Sequence, residues 1–133
     1  MKSIFVFLLT SLLLLSCRKY EKPFISFKSP EKRITNTWVQ EKHFDTNNVE
    51  GVYDEIITFT ITGEDSIFSR TLNGSILNGK WSWMPALKDK VDKERIRVTC
   101  PGYNKVLTIK VLTNNNLEFI DQTSNYRFCY KKN

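Results

Sequence analysis

The chain has 133 residues, 41% of them hydrophobic and 26% charged, with a net charge of +6. That charge is not spread evenly: Arg18 to Arg33 holds six basic residues against Glu21 and Glu31, whereas Ile34 to Asn133 holds thirteen basic and twelve acidic. A near-neutral body of about 100 residues, with no basic face pattern and no recognition motif, excludes nucleic acid as a partner and sets the size at one domain with a modest core.

In chain order, Met1-Lys2-Ser3 gives a basic start, and "IFVFLLTSLLLLS" follows as thirteen uncharged residues up to Cys17. A basic start, a short apolar run and a small residue before a cut are the plan of a secretory signal peptide, here residues 1–16. The run is shorter than the roughly 20 apolar residues of a membrane-spanning helix. Leu14-Leu15-Ser16-Cys17 resembles the lipobox of bacterial lipoproteins. That resemblance implies cleavage before Cys17 and acylation of its thiol and new amino group, with palmitate-type chains. At about 0.8 kcal/mol per buried CH₂, one chain holds marginally and two or more anchor durably, so membrane lipid is the expected partner of Cys17.

Residues 17–33 read as the lipidated cysteine and a basic tether with Pro23 and Pro30. Arg18-Lys19-Tyr20 carries no aspartate beside the cysteine and no acidic cluster behind it. By resemblance to sorting in two-membrane bacteria, this implies an outer membrane anchor with the domain facing the periplasm; display at the cell surface is the alternative. Each basic residue near anionic headgroups adds about 1 kcal/mol, and sixteen residues of flexible coil span about 20–25 Å.

From Ile34 to Asn133 the pattern changes to short runs of β-branched and aromatic residues bounded by Asn, Gly, Asp and Pro. Eight strands are expected, at about 34–43, 53–62, 65–72, 75–83, 94–100, 104–112, 115–121 and 125–131. Gly63-Glu64, Asn73-Gly74, Pro101-Gly102 and Asn114-Asn115 supply tight turns between antiparallel neighbours. The two longer links are Asp45 to Gly51 and the "MPALKDKVDK" stretch, Met84 to Lys93, where one helical turn is expected. Closing such a meander removes both unpaired edges, so the predicted fold is an all-β, eight-stranded, antiparallel up-and-down barrel. A two-sheet sandwich is the alternative and needs longer crossovers than these.

"NTWVQ" from Asn36, "EIITFTITGEDSIF" from Glu55, "LNGKWSW" from Leu77, "VLTIKVLTNNNLEFID" from Val106 and the closing "YRFCYKK" together resemble the lipocalin-like domains of small bacterial lipoproteins. The resemblance covers about residues 33–132. It implies a lipocalin-like barrel over 34–133, with Arg127 of the last strand stacked on Trp38 of the first. Two departures stand out: Asn36 replaces the family's first glycine, and the chain stops without the helix that follows the barrel in larger lipocalins.

Period-two counting puts Trp38, Ile57, Phe59, Ile61, Trp81, Trp83, Ile96, Val98, Leu107, Ile109, Val111, Leu117, Phe119, Tyr126, Phe128 and Tyr130 on the inner face. Thr58, Thr60, Lys80, Ser82, Arg95, Arg97, Lys110, Glu118 and Arg127 fall outside. Cys100 takes the inner phase and Cys129 the outer, on strands that are not neighbours, which argues against a disulfide even in an oxidising compartment.

No catalytic constellation emerges. His43, the single histidine, reads as a solvated loop residue, and the acidic pairs Asp54-Glu55 and Glu64-Asp65 fall at a strand start and a turn. Too few His and Cys ligands remain for a metal site, no cofactor is implied, and an inward Cys100 among aliphatics is unsuited to nucleophilic work. The protein is therefore read as a non-enzyme, with two candidate roles. In one, the barrel binds a small hydrophobic ligand among Trp38, Phe59, Trp81, Trp83 and Phe128, with residues 44–52 as a lid; an eight-stranded barrel has room for one small ligand or for a filled interior. In the other, those aromatics are core, and the outer face or loop rims contact an envelope protein partner.

Overall fold

The computed structural model describes residues 29–85 and 95–133. The signal peptide, Cys17, the first part of the tether and, beyond Pro85, the stretch to Lys93 where a helical turn is expected lie outside the described residues. A short helix, α1 (Pro30–Ile34), precedes nine strands: β1 (Thr37–Phe44), β2 (Glu50–Gly51), β3 (Glu55–Thr62), β4 (Asp65–Leu72), β5 (Ser75–Trp83), β6 (Arg95–Cys100), β7 (Tyr103–Leu112), β8 (Asn116–Asp121) and β9 (Arg127–Lys132).

All ladders are antiparallel, and from β3 to β9 each strand pairs with the next. The sheet then closes on itself, because β1 pairs with β3 on one side and with β9 on the other, from Trp38↔Lys132 to Phe44↔Arg127. Eight strands form the barrel, and two-residue β2 is a flap folded back on the end of β1. The turn chemistry explains the meander: Asn73 and Gly74 have φ of 49° and 82°, the left-handed pair that a two-residue hairpin needs to match strand twist.

The strands alternate up and down, so the molecule has two distinct ends. At the end where the chain enters, α1 caps the barrel: Ser29 caps the helix, Pro30 opens it, and Ile34 is fully buried. The Trp38 indole N–H donates to the Ile34 carbonyl at 3.0 Å, tying helix to barrel. The core beneath is solid, with Trp38, Phe59, Phe68, Ile96, Leu107, Ile109, Leu112 and Leu117 less than 2% exposed. Each such side chain contributes about 1.5–3 kcal/mol on burial.

Several positions depart from simple alternation, each for a local reason. The first strand starts at Thr37, three residues later than expected, because residues 30–34 coil into α1 and bury Arg33 and Ile34. A bulge between Ile109 and Val111 flips the phase of β7, so Leu112 is buried and Val111 only half-buried. Ile61 is 47% exposed, since the tip of the β3–β4 hairpin runs past its neighbours: β5 pairs with β4 only from Ile67 onward. Arg127 does not reach Trp38. It lies directly opposite Phe44, and its guanidinium sits 4.4 Å over that ring, while Lys132 is the residue opposite Trp38.

Candidate functional site

At the end away from α1 the interior changes character. Topology brings the start of β3, the end of β4, the start of β7, the end of β8 and the start of β9 together there, and each contributes a polar or aromatic residue at its inward phase. These are Glu55, Arg70, Tyr103 with Lys105, Asp121, and Phe128 with Tyr130. They enclose a cavity of about 200 Å³, completed by Tyr53, Phe119, Ser124 and Tyr126.

Glu55 is the hub. It is 3% exposed and accepts hydrogen bonds from Gln40 Nε2 at 3.0 Å, from the Arg70 Nε–H and from the Tyr130 hydroxyl. A carboxylate this deep is tolerated because a cation and two neutral donors replace its water. Burial first, and the neighbouring Glu55 charge second, push the Tyr130 phenol well above its ordinary pKa, so it remains a donor.

Asp121 anchors the opposite wall. Lys105 Nζ lies 2.8 Å from Oδ2, the Ser124 hydroxyl donates to the same oxygen at 3.1 Å, and the Thr123 amide donates to Oδ1 at 2.8 Å. Burial works to raise its pKa, but these hydrogen bonds and the Lys105 charge outweigh it and hold the carboxyl below its ordinary value. Tyr103 links the two ion pairs: the Arg70 guanidinium is 4.7 Å and the Lys105 ammonium 5.7 Å from its ring centre. Its phenol is raised mainly by burial, with Arg70 opposing.

A structured flap, residues 45–54, borders the mouth. Asp45 Oδ1 accepts from the Asn47 and Val49 amides, shaping the turn, and the Tyr53 amide donates to Gln40 Oε1 at 2.8 Å. Beneath the flap His43 is buried rather than solvated. A bulge at Glu41, between the pairs Gln40↔Tyr130 and Lys42↔Cys129, turns His43 inward, where it stacks on Tyr53 at 4.1 Å and meets Gln40 Oε1 through Nδ1 at 3.2 Å. Gly51 leaves room for this ring, since a Cβ there would lie 2.7 Å from it.

Of the five aromatics expected to line an apolar pocket, Phe128 lines this cavity and Trp38, Phe59, Trp81 and Trp83 do not. Trp38, Phe59 and Trp81 belong to the solid core near α1, with Trp81 donating its indole N–H to the Thr60 carbonyl, and Trp83 packs edge-on against Trp81 at 6.0 Å. Three of the charged residues that line the cavity share the parity of apolar ones read as inward, whereas Arg70 lies on a strand for which period-two counting assigns no inward residue. Continuing the count of Ile57 back to Glu55, Leu107 back to Lys105 and Phe119 on to Asp121 finds those three.

Both cysteines are free and buried. Burial pushes each thiol up; at Cys129 the Glu118 charge adds to it, and at Cys100 Arg70 opposes it. Among the described residues no group of three or more His, Cys, Asp and Glu side chains is arranged to hold a metal ion. In comparisons with known proteins, no family model, curated protein or solved structure matches the chain.

Proposed function

We propose that the protein is a bacterial envelope lipoprotein, anchored through acylated Cys17, whose lipocalin-like barrel binds a small molecule in the cavity at its outer end. The observation that carries this reading is the position and chemistry of the cavity. It lies at the end opposite α1, where the tether enters, so a bilayer-anchored barrel presents its mouth to the periplasm, or to the medium if the protein is surface-displayed. The cavity measures about 200 Å³. That suits a small ligand with a polar head and an aromatic or branched body, and is too little for a long-chain fatty acid. The protein's role is capture or transfer rather than catalysis.

Two experiments test the reading. Labelled palmitate should enter the wild-type protein and be lost in Cys17→Ser, with the variant released to the soluble fraction; undiminished labelling overturns the anchor. Pools of small neutral, cationic and anionic probes should shift the backbone amide resonances of Tyr53, Tyr103 and Ser124, and silence from every pool overturns ligand capture.

A second reading, contact with an envelope protein, draws support from the exposed apolar residues Val49, Val52, Tyr53 and Ile76, which the strand directions gather at the mouth. Crosslinking in native envelopes that recovers a mouth-attached partner, with no small-molecule response, selects it.

A further inference from the structure

Among the charged groups of the cavity wall, the unspent hydrogen-bonding capacity is one-sided. Glu55 and Asp121, the two carboxylates in its wall, each accept three hydrogen bonds or ion-pair contacts from neighbouring side chains and backbone. Their lone pairs are close to saturated. The donors are not. Among the described residues Arg70 engages only Nε, so the four N–H groups on Nη1 and Nη2 have no hydrogen-bond partner there, and Lys105 engages its ammonium with Asp121 alone. Both cations are about one-fifth exposed, both lie against the Tyr103 ring, and both line the cavity.

From this asymmetry, and resting on the small-ligand reading above, we infer that the cavity takes a small monocarboxylate. The free edge of the Arg70 guanidinium receives the carboxylate in its fork and Lys105 adds a charged donor, while Phe119, Tyr126 and Phe128 wall the body of the molecule. An arginine fork matches the planar spacing of two carboxylate oxygens. Charge limits the valence: Glu55 and Asp121 already compensate the two cations, so each added negative charge lacks a counter-charge and a dianion is disfavoured more than a monoanion. Volume sets the size at an aromatic ring or a short branched chain.

The test is a titration of the full mature chain followed by amide chemical shifts, with benzoate, phenylacetate and isovalerate as probes, benzamide and benzyl alcohol as neutral counterparts, and inorganic phosphate, at a mildly alkaline pH that keeps it the dianion, as the doubly charged probe. The expected result is saturable shifts at Arg70, Tyr103, Lys105 and Tyr126 with at least one carboxylate. Benzamide and benzyl alcohol should bind at least tenfold more weakly than that carboxylate, and phosphate should produce no saturation. Arg70→Lys, which keeps the charge beside Glu55 and loses the fork, should weaken the carboxylate at least fivefold while its spectrum stays folded. The wild-type comparison needs no variant, so it decides the matter even if Arg70→Lys unfolds. Neutral probes binding as tightly as the carboxylates at the same residues would overturn the anion assignment and leave small-ligand capture standing. Phosphate binding as tightly would overturn the preference for a monoanion. Silence from all probes would overturn both inferences together.

Discussion

Removing the Glu55 carboxylate is the sharpest perturbation of the outer half of the barrel. In Glu55→Ala the Arg70 charge loses its counter-ion, and the Gln40 amide and Tyr130 hydroxyl lose their acceptor, all at a position 3% exposed. Breaking a buried pair by deleting one partner costs about 3–5 kcal/mol. Arg70 keeps one-fifth of its surface open to the cavity, where water partly solvates it, which places the expected loss near the lower end, about 3 kcal/mol. Glu55→Gln retains the shape and one acceptor oxygen and loses the charge, so about 1.5–2 kcal/mol is expected, in the range of a hydrogen bond to a charged group. Urea unfolding followed by tryptophan fluorescence, on a chain starting at Arg18, measures both. Combining Glu55→Gln with Arg70→Gln should cost less than the sum of the two single changes, because the pair is lost once. A loss under about 1 kcal/mol for Glu55→Ala, or strict additivity in the double variant, would refute the buried network.

Other expectations follow from packing and titration. At Gly79 a Cβ would lie 2.2 Å from the Thr99 carbonyl oxygen and 2.4 Å from Cys100 Sγ, so Gly79→Ala should destabilise by about 2–3 kcal/mol. A Cys100→Ala background should restore less than half of that, since the carbonyl contact remains; a neutral Gly79→Ala contradicts the close approach of β5 and β6. The raised Tyr130 and Tyr103 phenols contribute stability that is full below the unfolded pKa near 10 and is lost as pH rises toward their folded values, so the protein should weaken above about pH 10. Tyr130→Phe should flatten that slope, and an unchanged alkaline profile argues against the buried phenol. The lowered Asp121 carboxyl contributes stability that is full above its unfolded pKa near 3.8 and is lost as pH falls below it, a loss that Asp121→Asn should reduce in acid unfolding curves. In the chain from Arg18, a thiol reagent should meet two slow cysteines in native protein and two fast ones in denaturant; fast native reaction at either contradicts its burial.

Much of the fold was legible because two independent signals agreed. Period-two runs marked the strands, and residues such as Asn73-Gly74 marked where each had to reverse, so most strand limits fall within two residues of those observed. Bulges were not legible: one extra residue at Glu41 or beside Val111 flips every side chain beyond it, and nothing in composition marks the spot. The second bulge is why Val111 counts as core in the sequence; His43 reads as solvated there because it borders the loop around Asp45, and the first bulge is what turns it inward. The short helix α1 hid behind tether-like charge, since five residues are too few for a periodic signal, although Ser29-Pro30 is a sound helix start. The cavity was missed for a different reason. Apolar residues mark the inner face in the sequence, whereas Glu55, Arg70, Lys105 and Asp121 are inward and charged, and they are stable there because register sets Arg70 diagonal to Glu55 across β3 and β4 and Lys105 diagonal to Asp121 across β7 and β8. Parity places Glu55, Lys105 and Asp121; Arg70, and the pairing of all four, need the register.

Every distance in the outer cavity depends on the barrel being shut, and the direct measurement is the β1–β9 seam. In a labelled sample, backbone proton contacts between Val39 and Lys131 and between His43 and Phe128 should appear in nuclear Overhauser spectra, and ladder amides of β1 should exchange as slowly as those of β7. Absence of those contacts, with β1 and β9 amides exchanging at the rate of free edges, would open the sheet and contradict the account.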